Sequence, residues 1–350
     1  MAIGTALYGY LLSQLYRHPK GPSYPGGFLF SWGLILGGLF WSERENILGS
    51  RRGTEDSRPA VWEILYVTAL TALFFFLATF DLQNWYFSCL GDEFAFREAS
   101  KLVAEGHPWA GIFSQEGVYG IVPAASAWFE GMLMRLFGTE LRGWKTAVLV
   151  PVLGSLPAAY GLARILFGRR VAVFTLAMLA SAAYLLGYAH TGYPNLEPLL
   201  PTLASLFLFV VGLRGGSRGF LVLSGVFAGL GWYTFYSSRA TIVILAAAIV
   251  LGVRPRQWPA IGGLVAGGFL LLFLPMLVVN RGELVGRMLE QSLRSKEVAA
   301  NRAMLPIWNC GRSLLAFNYN MHSGPYMAGS LAEPVTAALF VLGLSYCATA

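Results

Sequence analysis

Repeated apolar runs, most of them about 20 residues long, constrain the fold of this chain more than any other feature. An α-helix of that length spans the hydrocarbon core of a bilayer, which is roughly 30 Å thick. Lipid offers no partners to backbone polar groups, so only helices and closed barrels cross it. The pattern predicts an all-α, polytopic transmembrane helical bundle with spans at residues 61–80, 146–166, 171–189, 195–213, 219–236, 240–253 and 258–279.

The composition is that of a membrane protein and argues against nucleic-acid binding. Of the 350 residues, 56% are hydrophobic and 12% are charged, whereas soluble domains carry about 25% charged residues. The net charge of +7 comes from arginines clustered between apolar runs, which is typical of cytoplasmic loops. Because the sequence has no basic stripe interleaved with aromatic residues, we predict no nucleic-acid partner.

The arginines also decide whether residues 123–138 cross the membrane. This segment begins with Pro123, a residue favoured in the first helical turn, but a helix of its length reaches only about 24 Å. If it lies in the interface, three arginine pairs fall on the cytoplasmic side, as the positive-inside rule requires. We therefore predict interfacial helices at 93–105 and 123–138, within an outer loop at about 81–145. The pairs are Arg169 with Arg170, Arg214 with Arg218, and Arg254 with Arg256.

The two ends of the chain are less regular than its middle. Residues 1–60 contain two short apolar stretches, which form either a shallow hairpin or one tilted span, so we treat them as a separate membrane-associated segment. Residues 61–350 form the main transmembrane domain, with a second outer loop at about 280–331. The last apolar run, 332–350, stops at the terminus without a polar flank. We therefore expect a chain that is incomplete at its C-terminus.

An acidic pair, Asp92 and Glu93, stands near the start of the first outer loop. Two adjacent carboxylates at a membrane surface point to a site that handles protons, a metal or a charged head group. The alternative is structural. In that interpretation Asp92 caps the helix that begins at Glu93, and Glu93 pairs with Arg97 one turn further on.

Further polar residues fall at the outer ends of the predicted spans. Ionisable groups within spans are costly and usually face a cavity or a partner. Cations and carboxylates that meet at one depth could bind an anionic lipid head group beside a base. Structural interpretations compete here too, because Lys145 could extend its ammonium group to lipid phosphates and His190 could be an ordinary interfacial histidine. The candidates are Arg142, Lys145, His190, Asn195, Glu197, Tyr236 and Arg239.

Four motifs resemble those of the protein O-mannosyltransferase-like glycosyltransferases, which include bacterial aminoarabinose-transferase relatives. The motifs are LGDEFAFREASKLVAEG (90–106), LFGTELRGWK (136–145), YAHTGYPNLEP (188–198) and GLGWYTFYSSR (229–239). Their order along the chain carries more weight than any one of them. The resemblance implies the membrane glycosyltransferase C fold, with interfacial helices in the first outer loop.

The resemblance also implies roles for the candidate residues. Asp92 looks like the catalytic base that deprotonates the acceptor, and Glu93 looks like the neighbour that helps to position acceptor or metal. Arg142 resembles the arginine that holds the phosphate of the donor, and Arg239 adds positive charge near that phosphate. The remaining candidates, in the vicinity of the substrate or a metal, are His190, Asn195, Glu197 and Tyr236.

These roles imply an inverting membrane glycosyltransferase that moves a hexosyl or pentosyl group from a polyprenyl-phosphate donor to an acceptor hydroxyl or phosphate group. We expect the reaction among membrane lipids at the outer face of a bacterial or archaeal cytoplasmic membrane, with a protein, lipid or glycan as acceptor. A divalent cation held by Glu93 and His190 is one option, although no spacing demands one. The alternatives are a non-enzymatic transporter of lipid or solute, which should carry polar residues at mid-membrane, and a truncated, inactive relative.

Overall fold

The computed structural model describes residues 1–19, 23–50, 59–82, 93–115, 117–118, 122–281, 321–323 and 327–329. The helices are α1 Ala2–Arg17, α2 Pro25–Ser50, α3 Val61–Thr79, α4 Glu93–Ala104, α5 Ala124–Phe137, α6 Leu141–Phe167, α7 Arg169–Ala180, α8 Ala183–Thr191, α9 Leu199–Gly215, α10 Arg218–Leu230, α11 Ala240–Gly252 and α12 Trp258–Asn280. Short 3-10 turns lie at Pro194–Leu196, Gly231–Tyr233, Tyr236–Arg239 and Pro255–Gln257. Two three-residue strands, β1 Met321–Ser323 and β2 Met327–Gly329, pair antiparallel.

Several of these helices are long and apolar enough to cross a membrane. α7 and α8 together are also long and apolar enough to form one more span, although they are bent by 46° at the break between them. α3 exposes Ile64, Leu65 and Phe76, as a lipid-facing helix does. The chain is therefore an integral, multi-pass membrane protein, and the prediction of an all-α polytopic bundle is confirmed. The four long stretches are Val61–Thr79, Leu141–Phe167, Pro194–Gly215 and Pro255–Asn280.

The predicted span 171–189 is a broken helix. α7 ends at Ala180, and the hydroxyl of Ser181 donates a hydrogen bond to the carbonyl of Ala177 at 2.8 Å. A serine that bonds back to the preceding turn often bends a helix, because it competes for the carbonyl that the next amide would use. The apolar pattern predicts the extent of this span but not its break.

The predicted span 219–236 is not one continuous helix either. α10 ends at Leu230, and the hydroxyls of Thr234 and Ser238 both donate to the carbonyl of Gly231. α10 has 13 residues, which is about 20 Å and shorter than the span that the sequence predicts. The polar residues after Leu230 therefore form a compact turn at the end of the bundle.

The packing of α10 on α12 depends on glycines. A Cβ atom added to Gly225 would lie 1.9 Å from the carbonyl oxygen of Val265, and one added to Gly268 would lie 2.0 Å from that of Val222. No side chain fits at such distances, so the two helix backbones touch directly. Small residues at helix crossings allow this close approach within membranes.

Residues 1–60 contribute a helical hairpin that packs on the bundle. Gly4 of α1 lies against Leu34 of α2, and Gly27 of α2 lies against Leu11 of α1, so the two helices run antiparallel. The hydroxyl of Tyr8 donates to the carbonyl of Leu271 in α12 at 2.8 Å. Of the two arrangements that the sequence allows for this segment, the structure has the hairpin.

A buried carboxylate organises the arginine-rich end of the bundle. Glu63 is fully buried and accepts hydrogen bonds from Arg164 Nε at 2.7 Å and from the Tyr160 hydroxyl at 2.6 Å. Arg169 Nε lies 2.8 Å from the same carboxylate, so this ion cluster ties α3 to α6 and α7. Lys145 lies about 28 Å along α6 from Arg164. The polar residues near Lys145 therefore belong to the opposite end of the bundle.

Candidate active site

The helix that follows the acidic pair is present. Asp92 itself lies outside the described residues, and Glu93 is the first residue of α4, which ends at Ala104. The predicted helix 93–105 is therefore confirmed within one residue. Glu93 is fully buried, which is rare for a glutamate unless it is paired. Its place in the first turn is favourable, because the helix dipole stabilises negative charge there.

A row of aromatic rings connects α4 with the turn that precedes α11. The ring centroid of Phe96, one turn after Glu93, lies 5.1 Å from that of Tyr193. Tyr193 lies 6.0 Å from Phe235, and Phe235 lies 5.4 Å from Tyr236. Three of the four resembling motifs, which are far apart in the sequence, thus meet at one end of the bundle.

Arg239 is held at the end of this aromatic row. Its side chain is only 5% exposed, and its guanidinium carbon lies 4.7 Å from the ring centroid of Tyr236 and 4.8 Å from that of Trp232. Cation–π contacts of this kind are worth about 2 kcal/mol when they are desolvated. The structure therefore keeps a buried positive charge in the turn that precedes α11, with Tyr236 in contact with it.

Lys145 differs from its predicted behaviour. The sequence favours an ammonium group that extends to lipid phosphates, but Lys145 is fully buried, and its Nζ donates to the carbonyl of His190 at 2.7 Å. His190 is also buried, with Nδ1 2.8 Å from the carbonyl of Leu186. Lipid contact by Lys145 is therefore wrong, because packing of α6 against the end of α8 encloses the side chain.

Gly192 explains how α6 and the end of α8 come so close. It follows α8 with a φ of +67°, and a Cβ atom there would lie 3.0 Å from the Trp144 ring and 3.1 Å from the Lys145 side chain. The left-handed backbone conformation and the lack of space both favour glycine at this position. The chain can then turn sharply from α8 toward Glu197.

Glu197 is buried at the start of α9, where α5 covers it. The hydroxyl of Ser126 lies 2.8 Å from both carboxyl oxygens of Glu197. Glu130, one turn after Ser126 on α5, is only 1% exposed, and its carboxyl lies within hydrogen-bonding distance of the Glu197 carboxyl. Burial raises the pKa of Glu130, while hydrogen bonds from Ser100 and Trp144 act in the opposite direction.

The polar side of α5 was not recognised as part of the site from the sequence. α5 matches the predicted helix 123–138, but Ser126 and Glu130 are buried, and the exposed face carries Phe129, Met132 and Leu136. A signal does exist, since Ser126 and Glu130 are four residues apart and therefore lie on one helical face. Without a partner in view, that spacing is equally typical of an interfacial polar face.

Two predicted residues lie apart from these contacts. Arg142 is exposed in the first turn of α6, so its role in binding the donor phosphate stays a prediction. Asn195 is half-buried, and its Oδ1 atom is buried without a hydrogen-bond partner in the described part of the chain. Aromatic rings thus connect α4 with the turn that carries Arg239. Hydrogen bonds connect Ser100 of α4 with Glu130, and Ser126 of α5 with Glu197. Arg142 is exposed.

Metal binding stays a prediction as well. Within the residues that the structure describes, no group of three histidine, cysteine, aspartate or glutamate side chains could hold a metal ion. Asp92 of the acidic pair lies outside those residues. The option of a divalent cation at Glu93 and His190 remains as the sequence suggested it.

The chain was also compared with known proteins. Residues 122–279 match the family model described as dolichyl-phosphate-mannose-protein mannosyltransferase. Neither a curated protein nor a solved structure gives a significant match. The matched range begins just before α5 and ends at α12, so it contains Glu130, Lys145, Glu197 and Arg239.

Proposed function

We propose that this protein transfers a sugar from a polyprenyl-phosphate donor to an acceptor at the outer face of the membrane, and the match of residues 122–279 to a mannosyltransferase family model supports this proposal. Two buried, oppositely charged residues at one end of the bundle support the proposal. Glu93 is fully buried and Arg239 is 5% exposed, and the aromatic row from Phe96 to Tyr236 connects them. That end lies opposite the Glu63 cluster and its arginines.

The chemistry needs one group for each reacting oxygen. An oxygen of the acceptor attacks the anomeric carbon while the bond from that carbon to the donor phosphate breaks, so the phosphate leaves with the bonding electrons. Asp92 takes the proton of the acceptor as general base. Arg239, with Arg142 at the rim, stabilises the negative charge that grows on the phosphate through charge-assisted hydrogen bonds.

The decisive experiment measures transfer from a panel of polyprenyl-phosphate sugars in membranes that contain the protein. We expect at least one donor to be used, and we expect Asp92→Asn to lower turnover by about 10²–10⁴-fold, the usual contribution of a general base. Glu98→Gln is the matched control, because Glu98 lies on α4 with an exposed side chain and should stay within about twofold of the wild type.

Two results would contradict this proposal at different levels. If Asp92→Asn turns over as fast as the wild type, another group is the base. If no donor in the panel is consumed by the wild-type protein, a polyprenyl-phosphate sugar is not the substrate.

A further inference from the structure

The carboxyl groups of Glu130 and Glu197 form a buried pair that the proposed reaction does not use. Glu130 is 1% exposed and Glu197 is 2% exposed, and the two carboxyls lie within hydrogen-bonding distance of each other. Glu130 comes from α5, whereas Glu197 precedes α9. Two carboxylates this close in a dry site cannot both carry a charge without strong repulsion.

The hydrogen-bond donors around the pair are too few for two charged groups. Glu130 Oε2 accepts from Trp144 Nε1 at 2.8 Å and from the Ser100 hydroxyl at 2.6 Å. The hydroxyl of Ser126 can give its single proton to only one oxygen of Glu197. Glu130 Oε1 is buried and has no hydrogen-bond partner in the described residues. The side chains of the described residues therefore direct three protons at four carboxyl oxygens.

Several cations on the helices around the pair have other partners. Arg135 of α5 donates to the carbonyls of Val103 and Ala104, and Lys145 of α6 donates to the carbonyl of His190. On α4, Lys101 lies 3.8 Å from Glu105, and Arg97 lies 3.8 Å from Glu98. A further donor close to α5, the Tyr233 hydroxyl in the turn at Gly231–Tyr233, also has another partner, because it donates to the carbonyl of Leu272.

A proton fits between the two carboxyls better than a metal ion does. The neighbours of the pair are an indole N–H and two hydroxyls placed as donors, and an indole N–H cannot ligate a cation. A proton bound to one glutamate supplies the missing fourth donor and removes one of the two charges.

We propose that Glu130 is a positioning residue whose carboxyl shares one proton with Glu197 and thereby holds α4 in place. The link to α4 runs through Ser100, and it is reinforced by Gly131, where an added Cβ would lie 2.5 Å from the Ser100 carbonyl. α4 begins at Glu93, so the proton-sharing pair sets the position of Glu93. The importance of this position for the reaction rests on the proposed function, whereas the shared proton does not.

The pH dependence of stability has a definite sign. Burial raises the pKa of Glu130 in the folded chain above its ordinary value, which is about 4.3 for an unfolded glutamate. Protonated Glu130 therefore stabilises the folded chain fully below that ordinary pKa. This stabilisation declines as the pH rises toward the raised pKa and is absent above it.

The test compares the full-length wild type with Glu130→Gln and Glu130→Ala in detergent, from about pH 5 to about pH 8. The amide of glutamine donates an N–H to Glu197 permanently, so Glu130→Gln should lose the decline of melting temperature that the wild type shows. We expect that decline to be at least about 3 °C, since 1 kcal/mol shifts the melting temperature of a large domain by about 2–4 °C. Glu130→Ala should melt lower at the acidic end, and Glu98→Gln should keep the wild-type decline.

A second measurement follows the position of α4 directly. Spin labels at Glu98→Cys and Ser237→Cys, with Cys89, Cys310 and Cys347 replaced by serine, report the distance between α4 and the turn before α11. We expect a broader distance distribution at about pH 8 than at about pH 5 with Glu130 present, and no broadening with Glu130→Gln.

The outcomes separate the two proposals. If Glu130→Gln keeps the wild-type decline of melting temperature, no proton is shared. If the decline disappears but the label distance is insensitive to pH, the pair does not position α4. Both measurements work without a sugar donor, so failure of the transfer assay leaves them decisive.

Discussion

At the scale of single residues, Arg239 shows how a charged side chain is kept buried. Its guanidinium is covered on two sides by Trp232 and Tyr236, which lie seven and three residues earlier in the same segment. The Ser238 hydroxyl bonds to the carbonyl of Gly231 and closes the turn that brings these rings together. The residues that cover the Arg239 guanidinium thus come from the same short segment of the sequence.

Replacing Arg239 tests whether this charge binds the donor. Lysine keeps the charge but loses the planar group that stacks on aromatic rings and binds phosphate in a bidentate manner. We expect Arg239→Lys to raise the KM for the donor about tenfold, equivalent to about 1.4 kcal/mol, and Arg239→Ala to raise it further. The measurement is initial rate against donor concentration.

The exposed arginines provide the comparison for that experiment. Arg142→Ala should also raise the donor KM if Arg142 contacts the phosphate from the rim. Arg254→Ala, an exposed residue beyond the other end of α11, should leave it unchanged. An unaltered donor KM in Arg239→Ala would exclude Arg239 from phosphate binding.

At the scale of elements, helix contacts in this protein are made by small residues. The crossing of α10 and α12 brings backbone against backbone at Gly225 and Gly268. Lipid tails solvate apolar side chains as well as neighbouring helices do, so close packing rather than a hydrophobic gain must hold such helices together. The turn that contains Arg239 follows α10, and this crossing therefore supports the site.

Two adjacent glycines of α12 allow a matched test of that crossing. Gly268→Ala places a Cβ about where the Val222 carbonyl stands, so α10 must move away, and overpacking of this kind costs about 1–3 kcal/mol. Gly267→Ala meets nothing within 4 Å and should be neutral or slightly stabilising, since alanine favours helices. Thermal unfolding in detergent measures both, and equal melting temperatures would show that the crossing is not tight.

At the scale of the whole molecule, charge separates the two ends of the bundle. One end carries Glu63 with its arginines, and Arg214 there donates to the carbonyl of Ile165. The other end carries the aromatic row, Arg239 and the glutamate pair. From the positive-inside rule we predict that the arginine-rich end faces the cytoplasm and that the candidate site faces the opposite side.

Cysteine labelling tests this orientation. Ser237 and Gln257 are both exposed, at opposite ends of α11, so Ser237→Cys and Gln257→Cys should react with an impermeant maleimide from opposite sides of the membrane. Arg218→Cys, at another predicted cytoplasmic turn, should label together with Gln257→Cys. The three native cysteines are replaced by serine in all variants. Labelling of Ser237→Cys and Gln257→Cys from the same side would contradict the prediction that α11 crosses the membrane.

Much of the architecture was predictable because it depends on local spacing. Apolar runs of about 20 residues specify helices in lipid, where each backbone group must bond within its own segment. The helices 93–105 and 123–138 follow equally from Pro123, Gly106 and Gly138 at their ends. The break after Ala180 was missed, since one serine hydroxyl decides it.

The candidate site divides in the same way. The sequence by itself determined the all-α bundle, and it singled out Glu93 in the acidic pair and Glu197 and Arg239 at the ends of apolar runs. Only the tertiary structure decided that Lys145 turns inward to His190 and that Glu130 faces Glu197. The physical reason is that burial of a charged group depends on which helix covers it, and the covering helix comes from a distant part of the chain.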